Sequence, residues 1–357
     1  MFKYSVSKFR IFIIGIAILL LQMTISQTNA QMSVPLTDAT ETTEIQDISN
    51  WELEHSELNA EILWQKALPL RQSTYLLQAT SNFAAVTRSY NDTLYWVDLF
   101  TGEVREQRDL GIINGLGAYG DTSWVGTRYG GQSLIQIDQN GELIYFISER
   151  SLRLGTLRIM PFDNLLYVTS ITSLDDTFIF DLSLMELLSS SAVSDFLGAI
   201  DADTYLSWDD ETSQINLVDR TTSTVYWSYS YSYSEINFVE FVGLANNNIL
   251  VNVNDERIVS LSSLEGIENW SIQTPENDAP PIIAGDMLTR LVGNSLVFYE
   301  LAAGERIGAI DLQRNIDVDE RRRSDPFPIA YLASSGNVVI LGHQKFEEII
   351  AIRVEPQ

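Results

Sequence analysis

The chain is 357 residues long, with 22 Lys and Arg against 48 Asp and Glu, a formal net charge of -26, and no cysteine. A field of that sign repels nucleic acid and anionic lipid. The missing cysteine excludes disulfides, thiolate metal sites, a cysteine nucleophile and a lipid-bearing cysteine, so the fold must rest on a core drawn from 45% apolar residues.

Residues 1–30 read as a secretory signal. Lys3, Lys8 and Arg10 precede an apolar core at 11–21, and Thr28-Asn29-Ala30 offers a small-x-small cleavage site before Gln31. The apolar core falls short of the ~20 residues that span a bilayer, so no membrane span is expected after cleavage, and the protein is expected in a periplasm or outside the cell. Residues 31–60 read as a flexible acidic leader, since 31–50 are polar, threonine-rich and without periodicity. The remaining 61–357 reads as a single domain.

Its architecture comes from a repeat. Residues 94–98, LYWVD, form an apolar strand ending in Asp98, followed by a Leu-Phe-Thr-Gly turn and a second strand. The Asp98 place recurs at Asp138, Asp181, Asp219, Ser262, Glu300 and Arg353, at intervals of 40, 43, 38, 43, 38 and 53. A period near 40 made only of strand signals predicts an all-β, seven-bladed β-propeller of four-stranded antiparallel blades. In the fourth blade FLGAID lines the centre, TYLSW and QINLVD follow, and TVYWSYS lies outside, with strand alternation. The last repeat stops at IIAIRVEPQ, where a fourth strand is due, while EILWQKAL at 61–68 has no partners before it. The N-terminal strand is therefore predicted to complete the last blade and close the ring, removing exposed sheet edges.

The turn with Asp98, Thr101 and Gly102 resembles the repeat of PQQ-like (quinoprotein-type) β-propellers: an alanine-x-aspartate strand end, then threonine-glycine, then a tryptophan eight residues after the aspartate. Eight residues on from the aspartate place stand Trp227, Trp270 and the aromatic Phe146, and Trp64 corresponds to them in the closing strand. Glu106, Ser189 and Gly308 hold the place elsewhere. The resemblance spans essentially the whole chain after the signal, and the four aromatic residues are expected to dock between neighbouring blades. The quinoprotein dehydrogenases of that family are eight-bladed and longer, and commonly clamp their quinone under adjacent cysteines, with calcium on carboxylate and amide side chains. With no cysteine, this chain resembles the non-catalytic branch instead. That branch includes an outer-membrane assembly factor anchored through a lipidated cysteine, which is also missing here, so its specific role does not carry over.

Function in propellers usually sits on the face formed by the loops between second and third strands and by the blade connections. Here those tips are acidic, with Asp175, Asp176, Asp209, Asp210, Glu211, Asp255 and Glu256 against Arg128, His343 and Lys345. Asp175, Asp209, Asp210 and Asp255 are the candidate ligands of a calcium ion, although turn chemistry and solubility account for the same residues. His343 is the candidate general base, with Asp210 its candidate catalytic partner. The interval of 53 marks an insertion at 315–327, the only basic run after the signal, with Arg321, Arg322 and Arg323 among Asp317 and Asp319. It is the candidate docking loop for an acidic or carboxylate-bearing partner. The tyrosine-serine run at 227–233 is a second candidate surface.

The expected function is an exported, non-catalytic platform, monomeric and without cofactor, that binds a protein partner or a small ligand. The alternative is a small periplasmic or extracellular oxidoreductase or lyase, with calcium or pyrroloquinoline quinone at the channel mouth.

Overall fold

The computed structural model describes residues 34–35, 53–54, 58–68 and 75–356, apart from loop residues 89–91, 108–109, 128–132, 139, 141, 149–156, 171–172, 185, 190–195, 232–238, 255–256, 274–278, 294, 313–329 and 344–347. The strands form seven antiparallel sheets, each built on four strands, with the inner strands of successive blades side by side about a common axis. Blade one runs from Tyr75–Ala79 out to Val104–Gln107, blade two from Ile113–Tyr119 to Leu143–Ser148, and blade three from Leu157–Phe162 to Glu186–Ser189. Blade four runs from Phe196–Ala199 to Val225–Ser230, blade five from Val239–Ala245 to Glu268–Gln273, and blade six from Ile282–Ala284 to Arg306–Asp311. Blade seven takes three strands from the end of the chain and its outer strand, Leu58–Ala67, from the beginning. That strand lies antiparallel to Glu348–Pro356, with Glu61 opposite Arg353 and ion-paired to it at 3.0 Å. The seven-bladed ring and its closure are thus as the sequence predicts, although the closing strand starts at Leu58, three residues early.

Core residues lie between blades rather than within one. One cluster joins Leu77, Val86 and Val97 of blade one to Trp64, Ile340 and Ala351 of blade seven. Another joins Leu206 and Leu217 of blade four to Val251 and Val259 of blade five. Middle strands are covered on both faces, which is why they read as apolar runs such as Leu94–Asp98 rather than as alternation.

The repeated acidic residue shapes the turn into each outer strand. Asp98 Oδ1 accepts the amide N–H groups of Phe100 and Thr101 at 2.9 and 2.8 Å, and Asp219 Oδ1 accepts those of Thr221 and Thr222 at 2.9 and 2.7 Å. Four residues after the aspartate place the chain turns left-handed, at Gly102, Gly266 and Gly304 with φ of 65°, 66° and 70°, and at Ser223 with φ of 58°. A bulge follows in blades three to seven. It sets the residue eight places on opposite the residue two places before the aspartate place, pairing Trp227 with Leu217 and Trp270 with Ser260. Trp64 pairs likewise with Ala351.

Two blades depart from the count. Blade two makes a turn one residue shorter, closed from Asp138 N–H to the Glu142 carbonyl, so Tyr145 holds the tryptophan's register place and Phe146 falls one residue beyond it, opposite Ile135. In blade one, which has no bulge, Arg105 opposite Trp96 holds that place instead of Glu106. Within the stretch read as a leader, Val34–Pro35 pairs with Glu106 and Arg105 of blade one, and Leu53–Glu54 pairs with Ile310 and Ala309 of blade six. Two-residue strands carry no periodicity, so the sequence gives no sign of them.

Candidate functional site

The inner strands around the axis are mostly apolar, which makes their charged residues conspicuous. Arg158, on the inner strand of blade three, donates from Nη2 to the Phe241 carbonyl of blade five at 3.3 Å. It reaches past blade four because that blade's inner strand is short and carries Gly198, where a Cβ would stand 2.2 Å from the Phe241 ring. Burial lowers the Arg158 pKa from its ordinary value, and the charge of neighbouring Glu240 acts in the opposite direction. An arginine stays protonated under that pressure, so a half-buried cation stands near the axis with Glu240 close by. Sequence reasoning missed this pair. The available signal was one charge in each of two apolar inner strands, LRIMPF and VEFVGLA.

A second polar group lies in the seam between blades four and five. Tyr229 OH donates to Glu268 Oε2 at 2.6 Å, Ser271 Oγ donates to Glu268 Oε1 at 2.6 Å, and Arg257 Nη2 meets Glu268 Oε1 at 3.3 Å and also Ser271 Oγ. The Arg257 guanidinium lies 5.8 Å from the centre of the Tyr231 ring. Burial works to raise the Glu268 pKa, but the Ser271 and Tyr229 hydrogen bonds and the Arg257 charge outweigh it and hold the carboxyl below its usual range. Tyr229 is pushed well up, first by burial and then by its bond to Glu268. Part of the tyrosine-serine run is therefore tied into this seam.

The three tryptophans sit between blades. Trp64 Nε1 donates to the Leu99 carbonyl of blade one at 2.8 Å, Trp227 to Ser263 of blade five at 3.1 Å, and Trp270 to Leu301 of blade six at 3.0 Å. Each ring lies on the turn glycine of the next blade, so that a Cβ on Gly102, Gly266 or Gly304 would come within 2.7, 2.5 or 2.7 Å of it.

The tip residues are less concentrated. Asp209 Oδ1 accepts the amide groups of Glu211 and Thr212 at 3.0 and 3.2 Å. Its pKa is lowered by hydrogen bonds from the Thr212 side chain and backbone, with a further contribution from the Glu211 backbone. Asp210 is exposed in the same turn. Asp175 lies in the strand Ser173–Asp181, and His343 ends Val338–His343, paired with Ala330 and Glu348. Asp255 and the insertion residues Asp317, Asp319, Arg321, Arg322 and Arg323 lie outside the described residues. Among the described residues no group of three or more His, Asp or Glu is placed to hold a metal ion.

No known family profile matches the chain, and no curated protein matches it in sequence. Solved structures do match in fold. The β-propeller domain of Cps50 (Swd1) from Myceliophteria thermophila aligns with a TM-score of 0.58 at 13% identity, covering 83% of this chain and 100% of that one. BamB from Moraxella catarrhalis aligns with a TM-score of 0.51 at 12% identity over 83% of this chain and 98% of its own. The computationally designed Ika8 protein gives 0.51 at 12% identity over 80% and 98%. At such identities the likeness shows the propeller fold alone.

Proposed function

We propose that this chain is an exported, non-catalytic propeller of the PQQ-like type that serves as a binding platform for a protein partner or a small ligand. The observation that carries the reading is the use of the axial polar groups. Arg158 ties blade three to the Phe241 carbonyl of blade five with Glu240 nearby, so its guanidinium serves as a bridge between blades. At the loop face Asp209 is engaged in its own turn. Recognition then falls to the loops, and the 315–327 insertion offers the only basic run among them. The PQQ-like assignment is supported by the tryptophan-on-glycine docking at three blade junctions.

The test is cross-linking in the native host. A chain bearing Arg321→Ala, Arg322→Ala and Arg323→Ala together should lose its cross-linked partner while its melting temperature stays unchanged, and N-terminal sequencing should begin at Gln31. A melting temperature that rises with calcium or pyrroloquinoline quinone, and no longer does so in Asp210→Ala, would overturn the reading, because a ligand at a hundred times its Kd adds about 2.7 kcal/mol.

A further inference from the structure

The four strands of each blade from one to six are consecutive in the chain, whereas blade seven is completed by Leu58–Ala67 from the opposite end of the sequence. The departure of that one strand opens the ring. Its side chains are fastened into both adjoining seams. Leu58 is fully buried in a cluster with Leu296 and Ile310 of blade six, while Trp64 and the following Leu68 are buried in a cluster with Leu77 and Val97 of blade one. With no cysteine in the chain, no disulfide seals the junction.

The chain ahead of this strand holds the same two blades. Val34–Pro35 lies antiparallel to Val104–Gln107 of blade one, with Pro35 opposite Arg105. Leu53–Glu54 lies antiparallel to Arg306–Asp311 of blade six, with Glu54 opposite Ala309. Each adds a fifth strand to a four-stranded sheet, and among the described residues the two sheets so extended belong to the two blades that flank the closure. Pro35 has no N–H to offer, which suits the outermost position of a sheet.

We propose that these two added pairings are a clasp on the ring's closure, which retards release of the closing strand. Only residues 55–57 separate Glu54 from Leu58, a reach of about 14 Å at full extension. While Glu54 stays on blade six, a closing strand that comes loose is held beside its place at a high effective concentration, and it pairs again sooner than it departs. Complete opening therefore requires the blade-six pairing to break as well as the burial of Leu58, Trp64 and Leu68. The pairing on blade one fixes the same end of the chain a second time, on the other side of the closure.

Unfolding rates in urea and amide hydrogen exchange of the purified protein test this. Leu53→Pro combined with Glu54→Pro removes the N–H that faces blade six and should raise the unfolding rate about tenfold. In the same variant the amides of Leu58–Ala67 should lose protection while those of Leu165–Ser170 in blade three keep theirs. The pairs Glu54→Cys with Ala309→Cys and Pro35→Cys with Arg105→Cys stand on directly opposed residues of a chain otherwise free of cysteine. Each should close a disulfide on mild oxidation and slow unfolding about tenfold or more until it is reduced. Unchanged protection of Leu58–Ala67 in the proline variant, cysteine pairs that stay reduced, or oxidised pairs that unfold at the wild-type rate would each overturn the proposal.

Discussion

Two kinds of seam hold this ring together. From blade four to five, five to six, and seven to one, the outer strand provides a tryptophan that lies on the next blade's turn and donates to its backbone. Blades two to three and three to four are joined nearer the axis. Gly115 and Gly117 of blade two bring its inner strand against blade three, where a Cβ would stand 2.6 and 2.4 Å from the Leu157 and Ile159 carbonyls. Tyr167 of blade three stacks on Phe196 of blade four, with ring centres 4.7 Å apart and planes 9° from parallel, and Phe196 meets Tyr205 at 5.7 Å. The first kind of seam is set by a pair of positions distant in sequence and the second by backbone proximity, so they should fail differently when disturbed.

The largest break should come from Trp227→Ala. It removes a buried indole and its hydrogen bond to Ser263, and should cost about 3–5 kcal/mol in urea denaturation. Gly117→Ala tests the other seam. Its new methyl meets a backbone carbonyl, which cannot rotate away as a side chain can, so a cost of about 1–3 kcal/mol is expected. If Gly117→Ala is neutral, the close approach of blades two and three is not what joins them.

Tyr167→Phe should act in the opposite direction. The Tyr167 phenol is fully buried and makes no hydrogen bond to protein among the described residues, so removing its hydroxyl should stabilise the fold by about 1 kcal/mol. The same substitution has a pH signature. Burial raises the Tyr167 pKa to about 12, with the Arg220 charge acting against it, while an unfolded tyrosine ionises near 10. The folded-state value is the higher one, so the contribution is fully present below about pH 10 and is lost as pH rises through about 12. The wild-type melting temperature should fall across that window, and Tyr167→Phe should flatten the decline.

Most of the fold was legible because its rules act at short range. An aspartate that caps a turn, a glycine four residues on and an aromatic residue eight on are each visible in one blade, and the unfinished last repeat announced the closing strand. Counting failed where one residue was lost or a bulge was missing: in blade two the shorter turn moved the register place from Phe146 to Tyr145, and in blade one it moved from Glu106 to Arg105. The site was less legible. Arg158 reaches the Phe241 carbonyl, next to Glu240 in the chain, across an intervening blade, and no local pattern encodes that contact. The acidic tips Asp209 and Asp210 were found by composition, but composition does not distinguish a ligand from a turn cap, and Asp209 is engaged as a cap.

The smallest effect bears most directly on the contrast between seams. A turn glycine stands wherever the preceding blade supplies a tryptophan, at Gly102, Gly266 and Gly304. Blade three supplies Ser189 at that place, opposite Ile179, and the next turn carries Ser223 at φ 58°. With no indole over the turn, a side chain fits there and only backbone strain remains. Ser223→Gly should relieve about 1 kcal/mol of left-handed strain against a similar entropic loss, a net change within about 0.5 kcal/mol. Ser189→Trp alone should destabilise, because its ring would meet the Ser223 side chain. Combined with Ser223→Gly it should recover, with a coupling of about 1 kcal/mol in a double-mutant cycle. Additive behaviour would mean that the glycine serves the turn and not the tryptophan, and the division of the ring into two kinds of seam would lose its basis in sequence.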